Sequence, residues 1–508
     1  MSTTAFEGDG WRIDGFDEAP PEDLAERIWK RDASVWGPGD DDPADRLGWL
    51  DLPETIRGEL APVEAFVRDT GSHVEKVVLL GMGGSSLAPE VFATCFGARK
   101  GYPQLTVLDS THPAQIEPVA EALVGTENLF VVSSKSGGTI ETMSLYSCFR
   151  ARGGEARSFA AITDPGTSLQ ELAERERFGG LFLNPPDVGG RYSALSLFGL
   201  LPAALCGVDL DSLLGPAAAM AAACGPSVAP AENPGLVLGC ALGRLAQEGR
   251  DKLTFVTSPG LAPFGDWAEQ LIAESTGKHG AGIVPVVGEP TLDSYGDDRV
   301  FVVLHLEGDD PPDLPDGHPV VRLDVAGPEE LGAQMFLWEL ATAVAGAVLG
   351  INPFDQPDVE AAKEAARAAL ESDDEPAWSD DDVDGLFADA GPGDYAAFLA
   401  FAPRTVEGQG VLDAARSKVA RARASATTSG WGPRYLHSTG QLHKGGPDTI
   451  HALVVLDPPE ADVGIPGRPY GFARLLRAQA AGDYEALRAA GKKVARTTWA
   501  AFEEWARA

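Results

Sequence analysis

The sequence predicts an α/β protein. It is read as two doubly wound parallel-sheet units in a three-layer α/β/α arrangement, with a helical N-terminal arm and a C-terminal extension. Three observations carry this. Short apolar runs alternate with amphipathic segments, and the rhythm occurs twice. The apolar runs lack period-two alternation, as strands do when both faces of a parallel sheet are covered. The chain has 508 residues, more than one hydrophobic core sustains.

Residues 1–54 are acidic and punctuated by Trp and Pro, with one helical stretch, "PEDLAERIWKRDASVW". They are assigned to the arm. The first unit, 55–225, opens with the strand "VEKVVLLG" and the helix "SSLAPEVFATCF". The strand–helix pairs "QLTVLDS"/"PAQIEPVAEAL", "NLFVVSS"/"TIETMSLYSCFRARG" and "RSFAAIT"/"TSLQELAERE" follow. An Ala/Pro-rich crossover, "LDSLLGPAAAMAAACGPSVAPAENP", leads to the second unit, 226–368. There "KLTFVTS", "GIVPVVG", "RVFVVLHL" and "VVRLDV" are strands, and "FGDWAEQLIAEST" and "ELGAQMFLWELATAVAGAVLG" are helices. The region 369–508 begins with an acidic linker and carries a helix at "VLDAARSKVARARAS", a strand at "IHALVVLD" and a C-terminal helix. It is expected to complete the second domain and the active site.

The net charge of −36 sets nucleic acid and anionic membranes aside as partners. It leaves room for a small anionic ligand in a locally basic pocket, and its simplest meaning is solubility or a salty habitat. The longest apolar run, "MFLWELATAVAGAVLGI", contains Glu339 and falls short of the ~20 residues a membrane span needs, so it reads as a buried helix. The start lacks a basic region followed by an apolar core, so no secretory signal is expected. Five cysteines without a C-x-x-C pair point to reduced thiols in a cytoplasmic protein. Eight histidines without metal-ligand spacing predict no metal site.

Ligands of open α/β sheets bind at the carboxyl ends of strands, at a switch point in strand order. Two loops stand there. "GMGGSS", 81–86, lets backbone approach a ligand closely. It also resembles a dinucleotide fingerprint, with Asp109 at the end of the next strand as a ribose-binding acid, although Ser86 replaces the third glycine. "SSKSGGTIET", 133–142, sets Ser134, Lys135, Ser136 and Thr139 around two glycines at the start of a helix. Hydroxyls and free first-turn N–H groups suit a monophosphate. The lysine precedes the glycines, so this is not a nucleotide P-loop. Its other reading is an ordinary capped turn.

Four further stretches hold reactive groups: Arg191 in "VGGRYSALS", Glu269 and Glu274 in "WAEQLIAESTGKHG", Gln356, Glu360 and Lys363 in "NPFDQPDVEAAK", and His437, His443 and Lys444 in "RYLHSTGQLHKGGP". Each has a structural reading as an ion pair, helix end or loop residue. Together they make a parts list. A carboxylate takes a proton beside a carbonyl, an arginine stabilises the oxyanion, and a lysine or histidine acts at a ring oxygen. That is aldose–ketose isomerisation, which requires neither cofactor nor metal.

The stretches "GMGGSSLAPEV", "SSKSGGTIET", "VGGRYSALS", "AESTGK" and "NPFDQPDVEAAK" resemble, in order, the glucose-6-phosphate isomerase family. "WGPGDDDPADRLGWLDLP" and "HSTGQLHKGGP" resemble the isomerase half of bifunctional transaldolase/phosphoglucose isomerase proteins. The resemblance implies two sugar-isomerase (SIS) domains that interconvert glucose 6-phosphate and fructose 6-phosphate. It assigns Glu274 as the proton-shuttling base, Arg191 to the enediolate and Lys363 to the ring oxygen. Gly84, Ser85 and Gln356 would contact the substrate, and Ser134, Lys135, Ser136 and Thr139 its phosphate. The family's loop after the Ser-Lys pair is Thr-rich where this chain has "SGGT". Its ring-opening histidine lies before the F-D-Q motif, where this chain has no match. The role falls to His443, with His437 as the alternative. In the family that histidine comes from the neighbouring subunit, so a homodimer with shared sites is implied. The competing readings are a non-catalytic sugar-phosphate sensor on the same fold and a nucleotide-dependent oxidoreductase.

Overall fold

A computed structural model of the chain describes residues 5–39, 42–70, 73–358, 366–367, 370 and 378–508. The chain begins with a hairpin of β1 (Ala5–Gly8) and β2 (Trp11–Asp14). Its turn is Asp9–Gly10, with Gly10 at φ 72°, a left-handed backbone that glycine adopts without strain. The helix expected in the arm is present but short, Leu24–Trp29.

The first sheet holds β3 (Lys76–Leu80), β4 (Gln104–Leu108), β5 (Asn128–Ser133), β6 (Phe159–Thr163) and β7 (Gly180–Leu183), in the order β4-β3-β5-β6-β7. All neighbours pair in parallel. The chain leaves β3 toward one side and returns to β5 on the other. The loops after β3 and β5 therefore open side by side, at the switch point where open α/β sheets bind ligands. The edge strand β7 was not predicted; it is four residues long and partly exposed.

The second sheet runs β1-β2-β11-β10-β8-β9. Its parallel part is β8 (Lys252–Thr257), β9 (Val284–Val286), β10 (Arg299–Leu306) and β11 (Val320–Val325). The hairpin extends it, with Ile13 antiparallel to Val321, so the arm closes an edge that would otherwise present unpaired backbone groups. Trp36 Nε1 donates to Ala343 O at 2.8 Å and Trp29 Nε1 to Cys224 O at 2.9 Å, tying the arm to the core. The apolar run becomes the helix Leu331–Leu349, buried along most of its length. It packs on Leu210–Ala223, the helix that the Ala/Pro-rich crossover forms, and on Pro234–Gln247.

Among the described residues, the C-terminal region adds no strand to the second sheet. It forms a third parallel sheet, β13-β12-β14-β15, from β12 (Tyr395–Phe401), β13 (Ala426–Trp431), β14 (Ile450–Leu456) and β15 (Lys493–Thr498). Only β14 was predicted. One core cluster joins Tyr395, Leu399 and Val454 of this sheet to Ala273, Val284 and Val286 of the second unit. The third sheet is thus seated against the helix Pro263–Thr276, and against the cleft at that helix's end.

Candidate active site

A cleft of about 1880 Å³ lies over the carboxyl ends of β3 and β5. Two glycines bring its walls together. A Cβ on Gly84 would stand 1.9 Å from Gly190 O, so only glycine lets the loop after β3 lie against the turn that carries Arg191. Gly83, at φ 54°, approaches His437, where a Cβ would meet the carbonyl at 2.5 Å. Gly84 and Ser85 both line the cleft.

In the loop after β5, Lys135, Ser136 and Thr139 line the cleft. Ser134 lies behind them, 2% exposed. Its hydroxyl meets that of Thr139 at 2.9 Å, and its backbone N–H donates to Ile162 O. Thr139 thus directs its hydroxyl to Ser134 rather than to the helix Ile140–Ala151, whose N-terminus has no side-chain cap. An uncapped helix start facing a cleft suits an anion. Lys135 Nζ pairs with Asp164 and donates to Pro186 O at 3.2 Å. The lysine is thus held by two partners at the cleft wall.

Arg191 is 5% exposed, and its donors are distributed over two other motifs. Nε donates to Ser275 Oγ at 2.9 Å and Nη1 to Gln356 Oε1 at 3.0 Å. Nη2 donates to the carbonyls of Pro353 (2.6 Å) and Asp355 (2.9 Å). Nη1 also stands 3.3 Å from Glu274 Oε1. A planar five-donor fork suits this task, which a lysine cannot perform. Glu274 ends the helix Pro263–Thr276, and its other oxygen accepts from Gln270 Nε2 at 3.0 Å. Glu269 does not line the cleft; desolvation and Asp266 push its carboxyl up to about 8.

Lys278 was not assigned a role, because a lysine just past a helix end reads as a dipole-complementing cation. It is fully buried, and Nζ donates to Asn352 O (2.7 Å), Asp355 O (2.6 Å) and Asp355 Oδ1 (2.7 Å). It pins the turn that presents Gln356 and the two carbonyls to Arg191. Burial lowers its ammonium to about 8. Glu360 and Lys363 lie outside the described residues.

His443 and His437 are separated clearly. His443 is 2% exposed, does not line the cleft, and meets Tyr395 Oη at 3.2 Å through Nδ1. Burial pushes it down to about 3, so it is a neutral core residue. The first choice for the ring-opening histidine is corrected on this ground. His437 lines the cleft, with Nε2 2.9 Å from Glu141 Oε1. Gln479 Nε2 donates to the same oxygen at 2.7 Å, and Thr111 Oγ1 donates to Gln479 Oε1 at 2.8 Å. Glu141 was missed because an acid in a first helical turn reads as a helix-dipole partner. Among the described residues, no group of three or more His, Cys, Asp or Glu is placed to hold a metal ion.

Asp109 accepts from Arg434 Nη1 at 2.7 Å, and the same guanidinium reaches Glu90 and, at 3.4 Å, Asp266. The acid that motivated a dinucleotide reading is therefore engaged in a buried ion cluster.

A family model described as phosphoglucose isomerase matches residues 58–278. The chain is 31% identical over 400 residues to a glucose-6-phosphate isomerase of Symbiobacterium thermophilum, covering 66% of this chain and 88% of that one. It is 30% identical over 394 residues to another from Rubrobacter xylanophilus, covering 64% and 89%. A crystal structure of a hypothetical protein from Thermus thermophilus is similar, with TM-score 0.58, 27% identity, and coverage of 69% of this chain and 94% of that one. A glucose-6-phosphate isomerase from Chlamydia trachomatis shares the fold, with TM-score 0.53, 20% identity, and coverage of 71% and 80%. The extent of these matches and the motifs gathered at the cleft lead to one conclusion: the chain belongs to the glucose-6-phosphate isomerase family.

Proposed function

We infer that the protein is a glucose-6-phosphate isomerase, interconverting glucose 6-phosphate and fructose 6-phosphate through an enediolate. The carrying observation is Arg191 Nη1 standing 3.3 Å from Glu274 in the same cleft as the hydroxyl-rich loop after β5. That loop and the helix start behind it hold the phosphate. His437, backed by Glu141, handles the proton exchanged between the ring oxygen and the C1 hydroxyl as the ring opens. Lys363 is assigned to the same oxygen by resemblance.

In the open chain, Glu274 takes the proton from C2 of the aldose, and the electron pair moves toward the C1 carbonyl oxygen. The proton then returns to C1, and the proton of the C2 hydroxyl passes to O1, leaving the ketose. Nothing is gained or lost. Arg191 faces the oxygens where charge develops, which is where a fixed donor lowers the barrier most. All five of its N–H groups are already directed, so the substrate oxygen takes over a hydrogen of Nη1, the nitrogen nearest Glu274. Gln356 contacts the sugar beside it. A sensor needs the phosphate loop alone, whereas the buried Arg191–Glu274 pair argues for catalysis. The same reading includes a role in glycolysis and gluconeogenesis, a cytoplasmic setting and a homodimer. The five free thiols support a reducing compartment.

The test is a coupled assay with fructose 6-phosphate in chelator-treated buffer. Formation of glucose 6-phosphate is expected, and its absence with correctly folded protein rejects the reading.

A further inference from the structure

The cleft is walled by three units of one chain. The first sheet supplies the loops after β3 and β5, and the second unit supplies Glu274. His437 comes from the third, on the turn Arg434–His437 that follows β13. That turn is fastened to the chain's own first and second units at both of its ends. Arg434 is buried against Glu90 and Asp109 of the first unit and Asp266 of the second. The His437 carbonyl accepts from Gln270 Nε2 at 2.8 Å, and the same Gln270 nitrogen lies 3.0 Å from Glu274. Gln441 Nε2 donates to Gly277 O at 2.9 Å, just past the helix that ends at Thr276.

The fit is also steric. A Cβ on Gly83 would lie 2.5 Å from His437 O, and one on Gly277 would lie 2.4 Å from Leu442 Cα. Packing that close leaves no space for the corresponding segment of another chain to enter at the same place. Removing the segment would strand the buried Asp109 without its cation and leave Glu90 and Asp266 to Arg404 alone, which is unfavourable.

We propose that each chain carries a complete isomerase site of its own, with the third domain supplying in cis the histidine that acts on the sugar ring. The proposal rests on the isomerase reading. It makes the third sheet a working wall of the cleft, and it separates any dimerisation of the protein from catalysis.

Subunit complementation tests it. Glu274→Gln and His437→Ala are co-expressed with different tags, and mixed oligomers are isolated by two affinity steps. If His437 served the neighbouring subunit, one of the two sites in a mixed dimer would contain both native residues. Activity would then return to about half of the wild-type rate per dimer. The proposal predicts no return above the mean of the two parent variants, because each site keeps one defect. Recovery to about half overturns it. If no mixed species forms, the wild-type monomer peak from size exclusion is assayed. Full activity per chain supports the proposal, and an inactive monomer beside an active larger species overturns it. His437→Ala should itself lose ~10²-fold on the cyclic sugar phosphate, the scale of a positioned proton donor. Undiminished activity, with the folded state verified by circular dichroism and by His437→Gln, also overturns it. A wild-type protein without turnover rejects the isomerase reading, and this proposal with it, before any variant is compared.

Discussion

Glu274 and Arg191 form a buried pair in which the carboxylate is both the base and the partner of the oxyanion stabiliser. Replacing Glu274 by Gln keeps the shape and the contact with Gln270 but removes the base. We expect kcat to fall by about 10²–10⁴, the range for a lost general base, while KM changes by no more than a few-fold. A steady-state assay reads both, and retained turnover would show that the base is another group. His443 offers a test of the opposite kind, because it is neutral in the core. Its folded-state value is depressed to about 3 from 6.5. As pH falls below 6.5 the unfolded chain takes up a proton that the folded chain refuses, so stability is lost toward acid. His443→Asn, which keeps an acceptor for Tyr395 Oη, should remove that share. The wild type should lose about 1 kcal/mol more than the variant between pH 7 and pH 5.5. Urea unfolding at the two pH values measures this. The two histidines are six residues apart in the same Gly-rich stretch, and nothing local in the sequence tells core from cleft. The deciding partner of His437, Glu141, is 296 residues away.

Among the elements, most strands of the first two units were legible because they are buried and read as continuous apolar runs, such as "KVVLL" and "FAAIT", whereas the short, partly exposed edge strand β7 was not. The missed strands have other signatures. β12, "YAAFLAF", is fully buried but Ala-rich, which weakens its strand character. β15, "KVARTT", is an edge strand with alternating exposure, and β1–β2 is a hairpin of two four-residue strands whose only local mark is Asp9–Gly10. The motif loops were legible for a different reason: each holds its chemistry within about ten residues. What joins the third sheet to the first two was not, because it depends on Arg434 meeting Glu90, Asp109 and Asp266 from three elements. Arg434→Met should cost about 3–5 kcal/mol, since it leaves the buried Asp109 without its cation, while Arg404 still reaches Glu90 and Asp266. Turnover should fall with it, because the same turn carries His437. Adding Asp109→Asn should recover part of the stability. Denaturant midpoints of the single and double variants check both effects, and purely additive losses would argue against the cluster.

At the scale of the whole molecule, 76 acidic residues face 40 basic ones, giving a net charge of −36. Several of the cations are committed to buried or half-buried pairs, among them Arg191, Lys278, Arg299, Arg434 and Lys135. Those pairs each take up a carboxylate as well, so the excess of 36 acidic groups remains, and these carboxylates repel one another. Exposed ion pairs do not offset this, since each contributes only about 0–1 kcal/mol. Self-repulsion of this kind destabilises the compact state more than the expanded one, and salt screens it. Screening has a characteristic concentration dependence. The Debye length falls from about 30 Å at 0.01 M to about 3 Å at 1 M, so the benefit should be nearly complete by about 1 M. Preferential exclusion of a salt, by contrast, strengthens burial further as concentration rises. The thermal midpoint should thus climb by several degrees between 0.01 and 1 M KCl and then level off. Sucrose in place of salt should not reproduce the early rise. A midpoint that is flat below 1 M would mean that the acidic surface carries no repulsive cost, and that the charge is already compensated within the fold.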